Sequence, residues 1–237
     1  MLWSAKGHSI FCGIGDLAMA GRITALRYQK HDDQRVNVYL DGEYAFALPA
    51  LVAAGLKNGQ DLDDAQIAAL KAENEEEQAH DRALQFLSFR PRSVAEVRHS
   101  LETRQIPTDI ADSVIQRLLA AGYLDDQAFA QFWVADRERF KPRAPVALRQ
   151  ELRLKGVPED IIAQALGSLD SESSAYRAGA AYSRRLSNLD QRTFRQKLGN
   201  HLLRRGFQHD VVWPVVDRLW REQRDDTEGG ESPDDDT

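Results

Sequence analysis

A ten-residue pattern recurs three times along this chain of 237 residues, and it limits the fold more than any other feature. Leu101-x-x-Arg-Gln-Ile-Pro-x-Asp-Ile110 overlays Leu152-x-x-Lys-Gly-Val-Pro-x-Asp-Ile161 at an offset of 51 residues, and Leu202-x-x-Arg-Gly-Phe-Gln-x-Asp-Val211 follows at a further 50. The same offsets align Val97 with Leu148 and Leu198, Ile115 with Leu166 and Val216, and Leu118 with Leu169 and Leu219. Unrelated helices would not hold one register over so many positions. A period of this length predicts stacked copies of one supersecondary unit.

Each copy reads as three helices. The middle helix of the first copy opens at Ser93, with Glu96 at the spacing of a capping box. Its equivalent in the second opens near Pro145, whose missing N–H does no harm in a first turn. The middle helices end at Gln105, Gly156 and Gly206. Glycine suits the left-handed position after a helix, where Gln105 costs about 1–2 kcal/mol or takes another ending. Pro107 and Pro158 then start the third helices, with Asp109, Glu159 and Asp160 at their positive ends. The last copy is irregular: Gln208 replaces proline, and Pro214 falls early in its final helix, where it delays or kinks it.

Ahead of the copies, residues 22–48 alternate as strands do. A polar turn at His31-Asp-Asp-Gln34 and a hairpin turn at Asp41-Gly42 divide them into a three-stranded antiparallel unit. Tyr28, Tyr39 and Tyr44 lie in it, as core residues or as rings for base stacking. A short helix over Pro49–Ala54 stops at Gly55, and residues 57–60 turn. Asp63 and Gln66 have capping-box spacing for a helix that continues through Ala79 and Ala83 to Phe86 and Leu87.

The single cysteine, Cys12, excludes an intramolecular disulfide framework. No run approaches the roughly 18–20 apolar residues of a membrane span. The net charge of −6 conceals a division: residues 82–224 carry 24 Lys/Arg against 17 Asp/Glu, whereas residues 61–81 carry 1 against 8 and residues 225–237 carry 0 against 7. The boundaries that follow are a disordered or non-native leader over 1–20 (with Met19 as a natural start), a β unit with a short helix over 21–62, a long helix with the first copy over 63–126, further copies over 127–171 and 172–224, and a disordered acidic tail over 225–237.

Between the first and second copies lies Gly122-Tyr-Leu-Asp-Asp-Gln-Ala-Phe-Ala-Gln-Phe-Trp133. Gly122 stops one helix; Asp125 or Asp126 caps the next, or the pair binds a metal; Ala128, Phe129, Phe132 and Trp133 form an apolar stripe. The run Gly-Tyr-Leu-Asp-Asp-x-x-Phe-Ala resembles the most characteristic segment of the RecX family, and the copies and the hairpin resemble that family too, from about Arg22 to about Trp220. The resemblance implies a regulator without cofactor or chemical step. Such a protein lies in the groove of the RecA–single-stranded DNA filament and restrains RecA recombinase, ATPase and coprotease activities in the cytoplasm.

No glycine-rich phosphate loop, His-Glu-x-x-His, Cys-x-x-Cys or nucleophile elbow is present, and no histidines pair at metal-ligand spacing. What recurs is positive charge. Arg90-Pro91-Arg92 aligns with Lys141-Pro142-Arg143; Arg98, Arg149 and Arg153 lie on middle helices; Arg104, Lys155 and Arg205 share one repeat position, with Arg204 beside the last. A cation at a helix C-terminus is locally favourable, which accounts for the third set but not for the pair before helix starts. The expectation is a mainly α protein: tandem three-helix repeats in an elongated curved array behind a small antiparallel β unit. These eleven cations are its candidate contacts to a RecA filament, with weak direct DNA binding, no membrane and a monomeric chain. A sequence-specific DNA-binding protein and a protein-binding scaffold remain as alternatives.

Overall fold

The structure, a computed structural model, describes residues 20–30 and 32–228. Nearly all of the expected leader and most of the expected acidic tail lie outside the described residues. The chain divides into two units, residues 1–81 and 82–237.

In the first unit, β1 (Gly21–Gln29), β2 (Asp32–Leu40) and β3 (Glu43–Pro49) pair antiparallel. Asp41 and Gly42 turn the second hairpin with φ of 50° and 94°, as a primed two-residue turn requires. The three-stranded expectation is corrected to four: β4 (Asp61–Leu62) adds to β1, giving the order β3-β2-β1-β4. Two residues are too few to show alternation, so this strand left no periodic trace. The pairing is fixed by Ile23 N–H to the Gln60 carbonyl (2.8 Å) and by an Arg22–Asp61 ion pair (2.9 Å). Asp32, Asp33 and Gln34, expected in the first turn, belong to β2. Ile23, Val36, Val38, Phe46 and Leu48 form the buried face, closed by α1 (Ala50–Ala53) and by Ile67 of α2 (Asp64–Ser88). Asp63 and Gln66 make the reciprocal capping bonds expected for α2, at 2.7 and 3.0 Å.

In the second unit, the three copies are the end of α2 with α3 (Val94–Thr103) and α4 (Thr108–Ala120), then α5 (Asp126–Phe140), α6 (Pro145–Leu154) and α7 (Glu159–Leu166), then α8 (Ser171–Ser183), α9 (Gln191–Arg204) and α10 (His209–Glu228). The aligned apolar positions are the core positions: Val97, Leu148 and Leu198 are buried, as are Leu101, Leu152 and Leu202. Ser93 and Glu96 form the capping box, and Pro145 sits in the first turn of α6. Gln105, Gly156 and Gly206 all take the left-handed conformation, with φ of 61°, 72° and 89°.

Several expectations change in detail. On α5 the buried positions are Phe129, Ala130 and Val134, with Trp133 partly covered; Ala128 and Phe132 face outward. The helix phase is therefore set by the 129/130/134 triplet. Pro214 lies inside α10 without ending it, and α10 runs to Glu228, past the expected start of the tail.

Candidate functional site

Both aspartates at the Gly122–Trp133 joint act as caps, on different helices. The Asp125 carboxylate accepts from Gln127 and Ala128 N–H (2.8 and 3.0 Å), starting α5. Asp126 reaches into the preceding repeat and accepts from Val94 N–H of α3 at 2.9 Å. Burial, with the Asp125 charge in support, holds its pKa above the usual carboxylate range against the opposing Val94 bond.

The same region shows how successive repeats join. The start of one middle helix meets the end of the next repeat's middle helix, so the positive end of one dipole meets the negative end of another. At the first junction, Ser93 Oγ donates to the Lys155 carbonyl (2.6 Å), and Glu96 accepts from Arg90 (2.8 Å) and from Lys155 Nζ (2.7 Å). Burial alone would raise the Glu96 pKa, but these two cations outweigh it and bring it to about 2. At the second, Ala144 N–H donates to the Arg205 carbonyl (3.1 Å), and the Arg205 guanidinium donates to the Pro142 carbonyl (2.9 Å). Ala144 is built into the core of the third repeat.

Two of the repeated cations are thus junction residues. Lys155 and Arg205 bind the preceding repeat, and burial, followed by the nearby Arg143 charge, lowers the pKa of Arg205. Arg92 lies over the Phe86 ring at 3.9 Å. Arg98 pairs with Asp112 (2.5 Å), Arg143 with Glu151 (3.0 Å), and Arg149 and Arg153 share Glu159 (3.2 and 2.8 Å). Arg104, Lys141 and Arg204 are exposed and have no ion pair among the described residues. The electrostatic cost of a cation before a helix start is therefore met internally for Arg90 and Arg143, while Lys141 keeps its charge free.

Sequence reasoning missed three features. Glu151 gathers Trp133 Nε1–H, Arg137 and Arg143, while Arg137 and Lys155 lie over the Trp133 ring at 4.2 and 5.2 Å. Phe89 and Phe140, 77% and 66% exposed, stand directly before Arg90 and Lys141. Their 51-residue offset was visible in Phe-Arg-Pro-Arg92 and Phe-Lys-Pro-Arg143. A third group, Glu77, His80 and Asp81 on α2, brings three potential metal ligands within 4.8 Å, a spacing that a search for paired histidines overlooks. Among the described residues no helix is long and apolar enough to cross a membrane.

Three three-helix units in series, preceded in the chain by an antiparallel sheet, define a repeat-built protein that exposes cations and aromatic rings. Its four segments match, in order, the RecX N-terminal domain over residues 21–63 and the first, second and third RecX three-helix domains over 79–118, 125–166 and 170–216. The regulatory protein RecX of Bacillus subtilis (strain 168) is 35% identical over 211 residues, spanning 87% of this chain and 80% of that protein. That of Leuconostoc mesenteroides is 30% identical over 216 residues, spanning 87% and 79%. A crystal structure of a regulatory protein RecX superposes with a TM-score of 0.66 at 29% identity, covering 83% of this chain and 99% of that one. The chain belongs to the RecX family of regulatory proteins.

Proposed function

We propose that this protein binds the RecA–single-stranded DNA filament in the cytoplasm and restrains the recombinase, ATPase and coprotease activities of RecA, modulating recombination and DNA repair. Family membership along residues 21–216 is the observation that carries this reading. The protein acts as a binding partner, without a chemical step or cofactor. Its effect is a difference in affinity between filament states, since a ligand shifts an equilibrium only by that difference.

The exposed cations support a charged partner. Among the described residues Arg104, Lys141 and Arg204 have no anion of their own, and Phe89 and Phe140 offer apolar surface beside the cationic loops. Cations of this kind meet phosphate or acidic protein surface and act mainly on encounter and specificity. Co-sedimentation with preassembled RecA–single-stranded DNA filaments, beside bare single- and double-stranded DNA, tests the proposal. Retention on filaments with weak binding to bare DNA is expected. Tight, salt-sensitive binding to one duplex sequence without filament retention would replace it with direct DNA recognition.

A further inference from the structure

Two of the three middle-helix ends in the second unit are covered by the same kind of element. The ends of α6 and α9, at Lys155–Gly156 and Arg205–Gly206, each receive the start of the preceding middle helix. The cover supplies a donor to the carbonyl of the closing residue, and it occupies that residue's cation. Its small side chains allow close approach: a Cβ on Gly206 would lie 3.1 Å from Ala147 Cβ.

The end of α3 has the same construction and lacks the cover. Arg104 stands where Lys155 and Arg205 stand, and Gln105 holds the left-handed position with φ of 61°. Both are exposed. Among the described residues no protein donor reaches the Arg104 carbonyl, and its guanidinium has no ion pair. An open hollow lined by Phe86, Glu96, His99, Ser100 and Thr103 lies beside it.

We propose that the end of α3 is a docking surface for the N-terminus of a helix in a partner protein, one with small first-turn residues and a carboxylate to meet Arg104. The two internal junctions define this occupant: one joins a capped helix start through Glu96 to Lys155, and both seat alanine against the closing turn. A second copy of the chain offers no equivalent. Among the described residues the one middle-helix start not already joined is that of α9, which begins about one turn earlier than α3 and α6. Its Asp190 cap is bonded to its own Thr193 N–H, and Phe194, at the position of Ser93 and Ala144, is buried in the third repeat. The identification of the partner as a helix of the RecA filament rests on the function proposed above; the surface itself does not.

The test uses the full chain, labelled with 15N, titrated with a lactam-stapled peptide of residues 92–103 as the helix-start probe. Shift changes centred on Arg104, Gln105 and Ile106 are expected. Arg104→Glu in the protein, or Glu96→Gln in the peptide, is expected to weaken binding about fivefold, the effect of one surface ion pair. No shifts at millimolar peptide, or equal affinity for the helical Arg104→Glu variant, would overturn the surface. Self-association of the wild type that Arg104→Glu abolishes would also overturn the stated occupant. In parallel RecA assays, full restraint by Arg104→Glu would overturn the filament helix as partner. Failure of the wild type to restrain RecA, beside intact peptide binding, would instead remove the proposed function and leave the surface standing.

Discussion

Gly156 closes α6 directly against Ala95 of the preceding repeat: a Cβ built on Gly156 would overlap the Ala95 Cβ, and its φ is 72°. One residue thus ends a helix and seats the neighbouring repeat. Gly122 has the same backbone conformation, with φ of 73°, and open space around it. The pair separates strain from packing. Gly122→Ala is expected to cost about 1–2 kcal/mol from backbone strain alone, and Gly156→Ala about 3 kcal/mol once overpacking is added. Urea denaturation of both variants checks this; equal losses would mean that the junction yields without cost.

Gln105 shows the converse. It carries the strain of a left-handed non-glycine residue and is exposed, with no repeat set against it among the described residues. Gln105→Gly is expected to stabilise the protein by about 0.5 kcal/mol, the relief of strain less the greater entropy lost by glycine on folding. A lower midpoint in the same denaturation experiment would contradict this.

Glu96 makes the first junction sensitive to acid. Its folded pKa of about 2 lies below the ordinary value of 4.5, because Arg90 and Lys155 outweigh burial. A depressed carboxylate contributes its stability above the unfolded pKa and loses it as pH falls toward the folded one. The contribution at neutral pH is about 3 kcal/mol, lost between about pH 5 and pH 2. Glu96→Gln is expected to flatten the stability curve over that window. An unchanged curve would assign the acid sensitivity elsewhere.

The two caps of the joint are expected to differ in reach. Asp125→Ala removes the cap of α5, and Asp126→Ala orphans Val94 N–H in the neighbouring repeat. Each costs about 1 kcal/mol. Amide hydrogen exchange distinguishes them: Asp125→Ala should speed exchange at the start of α5, and Asp126→Ala at the start of α3. Faster exchange in α5 alone for both variants would contradict the cross-repeat cap.

Much of this was legible beforehand, for identifiable reasons. The 51- and 50-residue offsets fixed three copies, and every middle-helix ending was marked by Gly156, Gly206 or the strained Gln105. The Ser93–Glu96 and Asp63–Gln66 spacings named two helix starts. What periodicity does not carry was lost. Strand β4 has only Asp61 and Leu62. The stripe of α5, drawn over Ala128, Phe129, Phe132 and Trp133, was right at Phe129 and Trp133 and wrong at Ala128 and Phe132, because several phases fit so short a run. Above all, sequence shows which cations repeat and not what they touch. Lys155 and Arg205 repeat because every junction uses that position, whereas Lys141 shares its motif with Arg90 and keeps a free charge.

That difference gives a functional prediction. Lys141→Glu is expected to leave thermal stability within about 0.5 kcal/mol of wild type, as at most surface sites, while weakening filament restraint severalfold. Lys155→Glu should lower stability, by leaving Glu96 beside a like charge at the junction. Thermal denaturation beside the RecA assay separates the two; loss of stability in both would place Lys141 in the framework.

Single-stranded-DNA-dependent ATP hydrolysis by RecA, titrated with this protein, tests the central claim most directly. Suppression at amounts well below one protein per RecA subunit is the predicted result. Unchanged hydrolysis at equimolar protein, with filament assembly also unaffected, would contradict it.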